Sequence, residues 1–152
     1  MIDVRLISYE DKTEILKWRN DPLSRKMLIN TNFVKTKQHD AWFSSTILNK
    51  DKYLFMCLDR NKKKIGTVRF DTKDNIAKIA IILNPSKRNL GLSEPCITQA
   101  VKKLYSLNPQ INFFIAEIKK NNIASKKLFE KIGFKLQYSK NEMYCYNMKV
   151  CG

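Results

Sequence analysis

Residues 79–93 read IAIILNPSKRNLGLS: an apolar run ending at Asn84 and Pro85, a basic loop through Lys87, Arg88, Asn89 and Leu90, a single glycine at Gly91, and a helix opening from Leu92 and Ser93. Strand, basic glycine-containing loop and helix, in that order, make an anion-binding arrangement. The first N–H groups of a helix have no partner within it, the macrodipole adds partial positive charge there, and a glycine lets backbone and ligand approach closely. A pyrophosphate fits such a loop. An ordinary strand-to-helix turn with solvated lysines fits the same letters, so its surroundings must choose.

Upstream, Ile2, Val4 and Leu6 alternate with polar residues as a first strand, and Ser8 followed by Asp11 resembles a capping box. The helix it opens carries Ile15, Leu16 and Trp18 and ends near Asn20, Asp21 and Pro22, because a residue before proline leaves the helical region. A short helical piece over 23–28 follows. Thr36 is expected to cap a helix through Leu48, with Trp42 and Phe43 inward. Residues 53–58, 65–70 and 76–83 are three consecutive antiparallel strands, the last two separated by a polar segment over 71–75. Downstream, a helix runs from about Leu92 to Ser106, a strand spans 111–118, and a helix over 123–132 is closed by Gly133. A hairpin of 134–138 and 143–150 turns around Lys140 and Asn141.

The 152 residues carry 29 Lys and Arg against 14 Asp and Glu, a net charge of +15, and 43% are hydrophobic. One domain over 1–152 is expected, with a core that needs neither metal nor disulfide. Four glycines and four prolines exclude collagen-like and low-complexity chains. The longest uncharged run, 104–116, is too short to span a bilayer and contains Pro109. Met1 to Arg5 lack the pattern of a secretory signal, so the expectation is a cytoplasmic protein without a membrane partner. Cys57, Cys96, Cys145 and Cys151 show no CxxC spacing, and His39 is the single histidine; reduced, packed thiols and no metal follow. The charge invites a nucleic acid, an anionic surface or a small polyanion such as a nucleotide. Its scatter along the chain, without a basic tail, makes nucleic acid the weaker choice.

A second stretch, 121–134, places Asn122, Ser125, Phe129, Gly133 and Phe134 on a helix and its exit. Together the two stretches resemble the signature motifs of the GNAT (Gcn5-related) N-acetyltransferases. The first, Arg/Gln-x-x-Gly-x-Gly/Ala after the fourth strand, is met by Arg88 and Gly91, with Ser93 in place of the last small residue. The second, Asn-x-x-Ala/Ser-x-x-x-Tyr-x-x-x-Gly-Phe, is met by Asn122, Ser125, Gly133 and Phe134, with Phe129 at the tyrosine. The element order agrees over nearly the whole chain.

The resemblance implies an α+β fold. Its sheet is mostly antiparallel and twisted, six- to seven-stranded, splayed between strands four and five and flanked by about four helices. It implies acetyl-CoA as cofactor: Ile82 and Leu83 beside the pantetheine arm, Lys87, Arg88, Asn89, Leu90, Gly91, Leu92 and Ser93 around the pyrophosphate, and Asn122, Ser125 and Phe129 completing the cofactor site. Within the family, Trp18-Arg19-Asn20 and His39-x-x-Trp42 are similar to patterns of PseH-type acetyltransferases acting on amino-sugar nucleotides. They imply Arg19, Asn20 and Trp42 as substrate-binding residues. The plain alternatives are a helix terminus, core tryptophans and a surface histidine.

The reaction so implied is attack of an amine on the acetyl thioester. A backbone amide near Ile82 or Leu83 suits the developing oxyanion. Glu117 at the end of the fifth strand, and after it His39, are the candidate bases. Phe129 has no acidic proton, so no general acid is assigned. The acceptor expected first is a nucleotide-linked amino sugar. The alternatives are a protein N-terminus, as in Rim-type enzymes, and a catalytically silent RNA-binding module suggested by the charge and the missing tyrosine. A homodimer is left open.

Overall fold

A computed structural model of the chain describes residues 1–150; Cys151 lies outside them. The elements run β1 (Asp3–Leu6), α1 (Lys12–Asn20), α2 (Pro22–Met27), α3 (Thr36–Leu48), β2 (Lys52–Leu58), β3 (Lys64–Lys73), β4 (Ile76–Leu83), α4 (Ser93–Leu107), β5 (Phe113–Lys119), α5 (Ile123–Ile132), β6 (Lys135–Lys140) and β7 (Met143–Lys149). Seven strands form one sheet in the order β1-β2-β3-β4-β5-β7-β6, antiparallel except for β4 and β5. The expected mixed fold is present. The short α2 stands as a helix of its own, with Pro22 at its first position and the Asp21 carboxylate accepting from the Ser24 N–H at 3.0 Å.

Several boundaries differ from the expectation by a few residues, and two of them have a clear physical reason. The polar segment 71–75 is strand as far as Lys73: Asp71, Thr72 and Lys73 pair with Lys78, Ala77 and Ile76 across a tight turn in which Asp74 has φ +55°. Polarity misleads here because the ladder needs only backbone, and Asp tolerates the left-handed turn position. Thr36 is the first residue of α3 and Lys35 is its cap, where the Lys35 N–H donates to Gln38 Oε1 at 3.1 Å.

Each face of the sheet is covered. Beneath α4 and α5 lies the larger core, in which Phe55, Phe70 and Phe114 meet edge to face with centroids 6.0 and 5.9 Å apart. On the opposite face α1 and α3 bring Ile15, Trp18 and Phe43 onto Leu54 and Met56. That second core is small, and beyond it the helices stand over a cavity. Cys57, Cys96 and Cys145 are buried free thiols, as the spacing led one to expect. No helix of the described residues is long and apolar enough to cross a membrane.

Candidate active site

The parallel pairing of β4 and β5 runs from Ile76 beside Phe113 to Ile79 beside Ala116 and stops there. Ala80 to Leu83 stay paired to β3, through Gly66 beside Leu83, and Glu117 to Lys119 stay paired to β7. Between these two lips the sheet is parted, so alternate N–H and C=O groups of residues 80–83 face a gap instead of a strand. A cavity of about 750 Å³ opens at this gap, roofed by α1, α3 and the loop between α2 and α3.

Of the residues singled out above, Glu117, His39, Arg19 and Trp42 line this cavity, as do Ile82, Asn122, Ser125 and Phe129. Glu117 projects from β5 just beyond the parting point and is ion-paired with Lys78 of β4, a partner that sequence reading had not supplied. His39 is 3% exposed, which removes the reading of it as a surface residue. Its ring lies against Trp42 and Phe43, centroids 5.4 and 5.9 Å away, and neither ring nitrogen has a protein partner. Burial pushes its pKa below the ordinary value, with Lys12 and Arg19 adding to the effect and Asp40 opposing it. A neutral imidazole with a free nitrogen is the result.

Phe43 belongs to the core, but Trp42 is half-buried and forms cavity wall. Asn20 is employed elsewhere. Its Nδ2 donates to the Val34 carbonyl at 2.7 Å and its Oδ1 accepts the Val34 N–H at 2.8 Å. It thereby fixes the loop that roofs the cavity and does not line the cavity itself. Arg19 donates from Nη2 to the Asn30 carbonyl at 2.8 Å, while its buried Nη1 is unpartnered.

The loop after β4 leaves its backbone donors free. No backbone N–H from residue 88 to residue 94 bonds to another group of the described chain. Asn89 and Gly91 adopt φ +60° and +68°, and a Cβ added at Gly91 would meet nothing within 4 Å. A row of free donors bordering open space at a helix start suits a diphosphate. Arg88 departs from the simple picture, because its Nη2 is held by Asp21 and by Ser24 Oγ at 2.6 Å. Its side chain anchors the loop to the α1–α2 junction. Lys87 turns to a separate shallow depression shared with Lys62, Lys63 and Lys64. Leu90 is exposed and Leu92 packs on the larger core.

Across the gap, Asn122 caps α5 by accepting the Ser125 N–H at 3.1 Å, which leaves its Nδ2 free to donate. Phe129 meets Phe134 edge to face at 5.0 Å and is 3% exposed. The family's hydroxyl is absent at that position. Thr67 and Arg69 of β3 also line the cavity, and neither was anticipated. The available signal was the polar face Thr67, Arg69, Asp71 on a central strand whose other face, Val68 and Phe70, is fully buried.

Comparison with known proteins agrees with this geometry. The family model described as "Acetyltransferase (GNAT) domain" matches residues 2–135. No curated protein matches the sequence. Among solved structures, a domain from Methanocaldococcus jannaschii DSM 2661 superposes with a TM-score of 0.84 at 23% identity, covering 99% of both chains. Spermidine N-acetyltransferase from Vibrio cholerae, in complex with CoA and spermine, gives 0.84 at 16% identity over 98% of this chain and 94% of that one. The ribosomal L7/L12 alpha-N-protein acetyltransferase RimL, in complex with coenzyme A, gives 0.82 at 14% identity, with the same coverage of 98% and 94%. Likeness at such identities is likeness of fold.

Proposed function

The chain belongs to the GNAT acetyltransferase family, and from that premise we propose that it acetylates the primary amine of a nucleotide-linked amino sugar. Acetyl-CoA is the donor and supplies the acetyl group as a thioester. The observation that carries the acceptor reading is the cavity on the α1–α3 side of the parted strands. It offers an aromatic wall at Trp42 and the guanidinium group of Arg19, whose buried Nη1 is unpartnered. A sugar ring suits the first and a phosphate the second.

In this reading the acceptor nitrogen attacks the acetyl carbonyl, a C–N bond forms, the C–S bond breaks and coenzyme A leaves as its thiolate. Glu117, at the lip of the gap, takes the amine proton, with His39 the second candidate. Backbone N–H groups near Ile82 and Leu83 hold the developing oxyanion, preformed by their place in the sheet. The free N–H groups of residues 88–94 receive the pyrophosphate, and Asn122 Nδ2 meets the pantetheine arm. Phe129 gives no proton to the thiolate. A thiol of pKa near 8.5 leaves tolerably without one.

The test begins with melting temperature. At about 100 times its dissociation constant acetyl-CoA should add roughly 2.7 kcal/mol to the folded state. Gly91→Glu should abolish that shift by placing a carboxylate where the diphosphate lies. A panel of UDP-, GDP- and CMP-linked amino sugars is then assayed beside an N-terminal peptide. Acetylation of a sugar nucleotide supports the reading, and acetylation of the peptide alone replaces it with N-terminal acetyl transfer.

A further inference from the structure

The geometry points to a phosphate subsite in the acceptor half of the cavity, built by Arg19 of α1 and Arg69 of β3. This rests on the acetyl-transfer reading for its occupant. Arg69 is the residue that no motif marks. It sits in the sheet floor, between Leu54 of β2 and Ala80 of β4 in register, and all three border the cavity.

The cations and carboxylates lining the cavity are Arg19, Arg69, Lys78 and Glu117. The one carboxylate is ion-paired with Lys78; Arg69 pairs with Asp71, which lies outside the lining, and Arg19 has no acidic partner among the described residues. Arg19 bonds only to a carbonyl, with Nη1 buried and unpartnered. Arg69 makes no hydrogen bond; its buried Nε lies 3.5 Å from Asp71 Oδ1, which is itself unsatisfied. Burial, and then repulsion from Arg25 and Arg69, lowers the pKa of Arg19. Arg19, with Nη1 unpartnered, and Arg69, whose terminal nitrogens make no hydrogen bond, leave donors in a partly enclosed space that an anion accepting from both would satisfy. A phosphoryl group, with several oxygens in tetrahedral array, meets two planar forks where a single carboxylate meets one. The same charges repel a polyamine, so this cavity selects against the cationic acceptor that the spermidine enzyme's name describes.

The phosphate can come from the acceptor or from coenzyme A, and the experiment separates these sources. Protein saturated with CoA, its cofactor loop thereby filled, is titrated with inorganic pyrophosphate. A further rise in melting temperature is expected, lost in Arg69→Gln and partly kept in Arg69→Lys. The CoA-induced shift should persist in both variants, which reports that they fold. In turnover, Arg69→Gln should raise the acceptor KM tenfold or more with the acetyl-CoA KM unchanged. Absence of a pyrophosphate shift in CoA-saturated wild type, an effect of Arg69→Gln on the acetyl-CoA KM instead of the acceptor's, or efficient acetylation of spermidine each overturns the subsite. If CoA itself gives no shift, the cofactor reading fails first. A pyrophosphate shift lost in Arg69→Gln, with every sugar nucleotide left unacetylated, keeps the subsite and retires the sugar acceptor.

Discussion

Asp11 shows how much one side chain can hold. Fully buried, it accepts from Arg5 Nη1 and Nη2 at 2.8 and 3.0 Å, from the Ser8 N–H at 2.9 Å and from Lys64 Nζ at 2.8 Å. Burial alone would raise its pKa, but the hydrogen bonds from Arg5 and Lys64 outweigh that and hold it well below the usual carboxylate range. A depressed carboxylate stabilises the fold above its unfolded pKa of about 3.9, and that stability is lost as pH falls through the folded value. Asp11→Asn should therefore cost about 3 kcal/mol at neutral pH by denaturant unfolding and flatten the acid limb below about pH 4. His39 acts higher. Its lowered pKa means that the unfolded chain takes a proton first, so stability should decline as pH drops below about 6.5, a step that His39→Gln removes. Glu117→Gln should lower turnover by roughly 10²-fold with the acetyl-CoA shift intact, the mark of a lost proton acceptor. An unchanged rate would transfer that role to His39. At this scale the sequence was half legible. Motif spacing singled out Asn122 and Gly91 as candidates, whereas Lys78 and Arg69 depend on cross-strand register, which no local pattern displays.

Two elements are positioned by contacts that can be broken singly. Gly66 of β3 lies behind the end of β4, where a Cβ would stand 2.6 Å from the Ile82 carbonyl oxygen and 3.0 Å from the Leu83 Cα. Both obstacles are backbone, so Gly66→Ala must displace the lip of the gap. A loss of about 1–3 kcal/mol in stability is expected, together with a weaker acetyl-CoA shift, both readable in one thermal titration. On the roof, Asn20→Ala removes both bonds to Val34, about 1 kcal/mol each. Amides in residues 28–35 should exchange faster, and the acceptor KM should rise ahead of that for acetyl-CoA. The elements themselves were legible because alternation, caps and turns agree along the chain. β3 was read short because Asp71 to Lys73 are polar, and the roof was missed because its order comes from Asn20 and Arg19, eleven and more residues away.

At the scale of the molecule, protection should be uneven. The β2-β3-β4 ladder carries the larger core, whereas every residue of β6 is exposed; native-state hydrogen exchange should therefore rank β6 well below β3. The order of strands was legible only through the family's motifs. Nothing in the hydrophobic pattern of β4 and β5 tells that they pair for four positions and then part. That parting assigns one strand two clients. From residues 80–83 the main chain faces the gap that takes the coenzyme in the proposed reading, while Ala80 and Ile82 line the cavity proposed for the acceptor. Because the backbone N–H and C=O are the same in every residue but proline, the donor's half of the bargain survives any non-proline substitution that keeps β4 extended. The acceptor's half can then drift freely, and new substrates can be tried without forfeiting the old coenzyme.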